Sequence, residues 1–159
     1  MPDNSAERDK KMSFLKDEYL LIQKFYEDFD ARIITIKGWS ATVGLAAIGG
    51  GFYYSQYLWL FAAGIGLILW ILEAIWKSFQ YNYAGRIVLL ESAFSSGDID
   101  NIRPFQIYTA WRQAFLRRGY VAPVMRNMGL PLVFFPHIVP IVAGPILFFL
   151  NLHFHFAVK

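Results

Sequence analysis

Between Gly38 and Leu72 the chain carries no Asp, Glu, Lys or Arg over 35 consecutive residues. A helix of that length would rise roughly 50 Å, well beyond the roughly 30 Å hydrocarbon core of a bilayer. One span cannot use it, whereas two antiparallel spans can. The most polar point of the run is Tyr54-Ser55-Gln56, so spans are expected near 38–54 and 57–76, joined there by a tight turn. Composition points the same way. Of 159 residues, 56% are hydrophobic and 17% charged, where a soluble domain of ordinary make-up carries about a quarter charged residues. The excess apolar surface is expected to face lipid, and the length leaves no room for a separate catalytic domain beside a membrane bundle.

A second charge-free run extends from Asn127 to Val158, with Gly129 to Leu150 as its apolar heart. It fits a third span over about 127–152. Pro131, Pro136, Pro140 and Pro145 lie in it, and an interior proline removes a helix hydrogen bond and clashes with the preceding turn. This span is expected to be kinked, or broken into a re-entrant pair, and to pack on the first two spans so that the freed carbonyls find partners.

The charges lie outside these runs. Residues 1–32 hold six Lys/Arg and eight Asp/Glu, and residues 77–126 hold seven Lys/Arg against Glu91, Asp98 and Asp100. The hairpin tip has none. The bias of basic residues towards the cytoplasm therefore places the N-terminus and residues 77–126 inside and the 54–56 turn outside. Trp39, Tyr53, Tyr54, Tyr57, Trp59, Trp70 and Trp76 stand near the expected span ends as interface anchors. A 32-residue charged segment precedes the first apolar run, so no cleaved signal peptide is expected.

Residues 1–13 read as a disordered tail. Leu15, Tyr19, Ile22, Tyr26, Phe29, Ile33 and Ile36 then alternate in steps of four and three, the heptad pattern of a helix over 14–37 that pairs with another helix. Both a partner within the chain and an oligomeric coiled coil satisfy it. The second span is expected to continue through Lys77–Phe94, with a Glu73–Lys77 pair at its boundary, and to stop at Ser95-Ser96-Gly97-Asp98. Pro104 is expected to open a helix reaching about Gly119, with Phe105, Tyr108, Trp111 and Phe115 on one side. Together with Arg112, Arg117 and Arg118, Trp111 suits this helix to an anionic membrane surface. Packing of its apolar side on the 14–36 helix is the alternative.

Few residues suggest chemistry. His137, directly after Pro136, is an ionisable group inside an apolar segment and with Glu73 forms a candidate intramembrane relay or gate. Its alternative is a neutral imidazole bonded to a carbonyl that a proline has freed. His153 and His155 have no third ligand near them and read as interface histidines, so no metal is expected. Asp98-x-Asp100-Asn101 lacks the glycine and closing glutamate of a calcium loop and reads as a turn. Phosphate loops, zinc-protease helices, nucleophile elbows and cysteines are all missing. An enzyme is not expected, nor a cofactor. The basic residues adjoin the spans as topology signals, so no nucleic-acid partner is expected. Ala46/Gly50, Ala47/Gly51 and Ala62/Gly66 are small-x-x-x-small pairs that allow close helix approach, inside one hairpin or between copies.

At Phe29-Asp30-Ala31-Arg32, then Ile36-Lys37-Gly38-Trp39-Ser40 and a Gly/Ala-rich span, with Pro136-His137 opening the C-terminal apolar segment, the chain resembles a group of small bacterial membrane proteins. Some proteins of similar layout act as membrane effectors in anti-phage defence. The resemblance implies the bacterial inner membrane and brings no catalytic residues with it.

The expected architecture is an all-α integral membrane bundle: a transmembrane hairpin, a proline-kinked third span and cytoplasmic amphipathic helices. Two functions fit it. The first is an oligomeric membrane effector or channel-like component controlled through the cytoplasmic helices, with Ile22, Phe29, Gly50, Gly51 and Gly66 as packing or oligomer contacts. The second is a non-catalytic anchor that recruits a soluble cytoplasmic partner. A proton-coupled or enzymatic use of His137 and Glu73 is a third.

Overall fold

The computed structural model describes the backbone of residues 4–157 and the side chains of residues 5–153. All regular structure among the described residues is helical. Proline placement sets helix length. None occurs between Pro2 and Pro104, and this stretch forms two long helices, α1 (Asn4–Tyr53) and α2 (Tyr57–Ser96), which reverse at residues 54–56. Both contain a stretch long and apolar enough to cross a membrane, by length and composition.

Beyond Pro104 the helices shorten to α3 (Ile107–Arg118), α4 (Val121–Met128), α5 (Pro131–Phe134) and α6 (Ile138–Ala157). Pro123, Pro131 and Pro140 sit in the first turn of their helices, where no backbone N–H is required. Only Pro145 is interior. The segment 129–150 is thus broken rather than merely kinked: the four residues of α5 give way to extended backbone at Phe135, and α6 begins at Ile138. Within α6, Ile138–His153 forms a shorter apolar helix.

The chain divides into two compact units, each drawing on both long helices. Unit 1 comprises the chain up to Asp30 with Ser78–Pro123, and unit 2 comprises Ala31–Lys77 with the chain from Val124.

In unit 1 the heptad seam finds its partner inside the chain. Leu15 and Ile22 pack with Ile87, Leu90 and Ala93 of α2 and with Ile99, and Tyr19 and Tyr26 border this core. Half-buried Phe29 lies against the Tyr83 ring. The tail expected over residues 1–13 is helical from Asn4 onward. Its basic side chains supply the reason, because Arg8 donates to the Gly97 carbonyl at 2.8 Å and Lys11 to that of Asp100 at 2.7 Å.

Helix α3 starts three residues later than Pro104 suggests. Glu18 is the cause. Its carboxylate accepts from the backbone N–H of Phe105 at 2.7 Å and of Gln106 at 3.2 Å, and Phe105 takes a left-handed φ of 59° at this corner. The carboxylate thereby pairs the N–H of the cap residue Gln106, one of the donors that a helix start leaves free, together with that of Phe105 at the preceding corner. Trp111 and Phe115 of α3 stack at 5.3 Å and meet Phe79 of α2, whose carbonyl accepts from the Trp111 indole at 3.1 Å. Trp111 thereby joins an aromatic cluster with Phe79, Tyr83 and Phe115, and Phe105, on the same apolar side, meets the Phe14 ring of α1 at 5.4 Å. Desolvation in this region raises the Tyr83 phenol above its usual pKa.

In unit 2, α1 and α2 meet along small residues. Gly51 leaves no room for a side chain beside the Trp59 ring, whose N–H donates to the Ile48 carbonyl at 2.9 Å. The Pro140 ring of α6 lies at both Gly44 and Gly66, where an added Cβ would come within 3.1 and 2.9 Å of it. A Cβ at Gly50 would meet Leu58 at 3.1 Å. These glycines serve contacts within the chain. Ala74, Val124 and Val133 form a second small core, and the Trp70 N–H bonds the Met128 carbonyl at 3.2 Å.

Candidate functional site

Three ionisable side chains of unit 2 converge, Lys37 from α1, Glu73 from α2 and His137 from the turn before α6. Lys37 and Glu73 each lie eighteen residues from Ser55, so a hairpin that reverses there sets them opposite one another. On α2, Glu73 continues the buried steps Trp59, Ala62, Gly66 and Leu69, which turns its carboxylate inward. His137 immediately precedes α6, and its carbonyl accepts from the Ile141 N–H at 3.4 Å.

Lys37 Nζ lies 2.7 Å from Glu73 Oε1, and His137 Nε2 lies 2.9 Å from Glu73 Oε2. Glu73 is 1% exposed and His137 0%. Lys37 also donates to the carbonyls of Phe135, at 3.0 Å, and Leu132. Its three N–H groups thus have three acceptors, which is its full donor capacity.

The cluster is closed at Lys37 and open at His137. The buried Nδ1 of His137 has no hydrogen-bond partner among the described residues, and neither does the buried hydroxyl of Ser40, one turn along α1 from Lys37. A neutral imidazole that donates through Nε2 leaves Nδ1 a bare acceptor, and an imidazolium leaves it an unpaired donor. Either form carries a cost of about 1–3 kcal/mol for an unsatisfied buried group. Chemically, a carboxylate held between an ammonium and an imidazole can exchange a proton with the imidazole while the lysine holds the carboxylate in place.

The expected pair His137 and Glu73 is brought into direct contact across 64 positions. The imidazole bonds this carboxylate and not a carbonyl freed by proline. In place of the i, i+4 arrangement with Lys77, the two Glu73 oxygens face Lys37 and His137. Lys37 is the residue that sequence reasoning left out of the site. The signal was available, since it is the last charge before the 35-residue run and Glu73 the first after it.

The remaining residues are distributed elsewhere. Ile22 is fully buried in the unit 1 core. Arg112, Arg117 and Arg118 are exposed on α3, and Arg118 donates to the Tyr81 carbonyl at 3.0 Å. His153 is exposed, and the side chain of His155 lies outside the described residues. Among the described residues no three His, Asp or Glu side chains gather as a metal site. No protein-family model, curated protein or solved structure matches the chain.

Proposed function

We propose that this chain is an integral protein of the bacterial inner membrane. In this reading the apolar parts of unit 2 lie in the bilayer, the charged helices of unit 1 lie in the cytoplasm, and the protein is a non-catalytic membrane module that presents unit 1 to a soluble partner. One observation carries the membrane assignment. In the most apolar 18-residue windows of α1 and α2, only 28% and 33% of the residues are buried within the chain. The core helix of a soluble protein hides most of such a window, and side chains such as Leu45, Phe61, Ile68 and Phe149, each more than half exposed, need an apolar solvent.

The engagement of Ile22, Gly51 and Gly66 inside the chain supports the anchor over the self-assembling effector, because those positions are already in use. The effector or channel-like reading is favoured by the Lys37–Glu73–His137 cluster, since ionisable groups at membrane depth are costly and mark functional sites. In that reading copies associate through the exposed apolar face of α6, at Val139, Val142 and Ile146.

Induced expression in bacteria separates the two. The anchor predicts a protein that resists carbonate extraction, leaves a potential-sensitive dye unchanged and co-purifies with a soluble partner. Depolarisation on induction that disappears in Glu73→Gln favours the effector instead. Recovery in the soluble fraction without detergent refutes both. Reporter fusions at residue 55 should read external; a cytoplasmic reading there would invert the assigned orientation.

A further inference from the structure

Unit 1 contains a cavity of about 470 Å³ between α2 and α3, within the range of small-molecule sites. We propose that it binds a phosphate-bearing anion. The inference rests on unit 1 alone and stands or falls independently of the anchor reading.

The cavity is built by helix periodicity. Gln106, Ala110, Gln113, Ala114 and Arg117 bring one face of α3 and its N-terminal flank to it, and Asn82, Gly85, Arg86 and Leu89 bring one face of α2. Small residues keep it open. A Cβ added at Gly85 would meet nothing within 4 Å, and Ala110 and Ala114 add only a methyl each from the other wall. The aromatic side chains of α3, Trp111 and Phe115, occupy the different face that packs on Phe79.

Charge selects the ligand. Three arginines line the cavity, and no Asp or Glu does. Arg86 is already committed: its Nε and Nη2 each donate to the Glu18 carboxylate at 2.9 Å, and Nη2 also bonds the Arg103 carbonyl at 2.7 Å. That last bond holds the backbone of Arg103 at the cavity edge. Arg103 and Arg117 have no carboxylate partner among the described residues. Glu18 further occupies the backbone amides at the start of α3, so an incoming anion is left with two guanidinium groups and the side-chain amides of Asn82, Asn101, Gln106 and Gln113. Planar guanidinium forks match the oxygens of a phosphate, and amide N–H groups supply further donors to them. A role for Arg117 in complementing the C-terminal dipole of α3 accounts for its own charge. It leaves unexplained the lack of acidic lining around the cavity and the second free guanidinium at Arg103.

Two sources share this chemistry, a soluble phosphate ester and a lipid phosphate headgroup. The test uses the full chain purified in an uncharged detergent, with thermal unfolding followed against pyrophosphate in one arm and short-chain phosphatidic acid in the other. Binding to the native state raises the transition temperature in a concentration-dependent way. A larger shift with pyrophosphate assigns a soluble ester, and a larger shift with phosphatidic acid assigns a headgroup. Arg103→Gln and Arg117→Gln, both at exposed positions, should each weaken the apparent affinity about tenfold or more. Arg112→Gln, whose residue does not line the cavity, should leave it unchanged. Gly85→Leu fills the cavity from α2 without touching a charge and should abolish the shift. The absence of a shift with either anion, or a shift that survives in both Arg103→Gln and Gly85→Leu, overturns the proposal.

Discussion

Among the described residues each unit buries one carboxylate from a long helix almost completely, Glu18 in unit 1 and Glu73 in unit 2, and surrounds it differently. Glu18 meets a bidentate guanidinium and two backbone amides. None of these donors changes its charge under ordinary conditions. The carboxylate links α1, α2 and the start of α3, and it sets where α3 begins. Glu73 meets an ammonium and an imidazole, and the far nitrogen of that imidazole has no partner among the described residues. The first arrangement is complete and suits a fixed brace. The second has an open end and suits a responsive element. A buried charge is therefore informative through the kind and completeness of its partners more than through its burial.

The comparison is most exposed at Glu18. Glu18→Ala leaves the 9%-exposed Arg86 guanidinium without its carboxylate and the Phe105 and Gln106 amides without an acceptor, which should cost about 3–5 kcal/mol. Chemical unfolding of the purified chain measures it, and hydrogen exchange over residues 105–118 should show α3 losing protection first. Glu18→Gln keeps an acceptor for the amides and should fall between the two. A loss under about 1 kcal/mol in Glu18→Ala would remove the brace from the comparison.

At Glu73 the single and combined changes should diverge. Glu73→Ala strands Lys37 and His137 and should cost about 3 kcal/mol, whereas Lys37→Met, Glu73→Leu and His137→Leu together should return to within about 1 kcal/mol of the parent, because apolar groups of similar size replace a buried ionic cluster at little net cost. Unfolding in detergent measures both. A triple variant as unstable as Glu73→Ala would make this cluster a second brace.

The elements that follow from proline and polarity were legible in the sequence. The 54–56 reversal, the stop near Gly97 and the absence of a continuous helix through the four C-terminal prolines all come from local chemistry that a single chain displays. The seam from Leu15 was legible as a helix in need of a partner, while the partner was not. Its choice of α2 depends on Ile87 and Leu90, whose pairing with Leu15 and Ile22 is a tertiary fact. The start of α3 was misplaced for a similar reason. Pro104 is a sound local start signal, but the carboxylate that caps the helix lies 87 positions earlier in the chain. Of the buried cluster, His137 and Glu73 stood out as ionisable groups in or beside apolar runs. Lys37 was visible only as the end of a charged segment until the hairpin symmetry about Ser55 is used.

The smallest effects test whether the glycines act inside one chain. In unit 2, Gly66 faces Pro140, Ile141 and the His137 carbonyl, whereas Gly64, two residues earlier on α2, has nothing within 4 Å of an added Cβ. Gly66→Leu should overpack this contact and lose about 1–3 kcal/mol. Because His137 stands at the same contact, the change should also weaken the imidazole's hold on Glu73, which a shift of the His137 ring resonance in NMR would report. Gly64→Ala should gain about 0.5–1 kcal/mol, since alanine removes the backbone entropy cost of glycine in a helix without meeting a neighbour. The opposite signs at two glycines of one helix follow from their surroundings within the chain. An interface between copies at Gly66 would add a dependence of the Gly66→Leu loss on protein concentration, and packing inside one chain predicts that this dependence is absent.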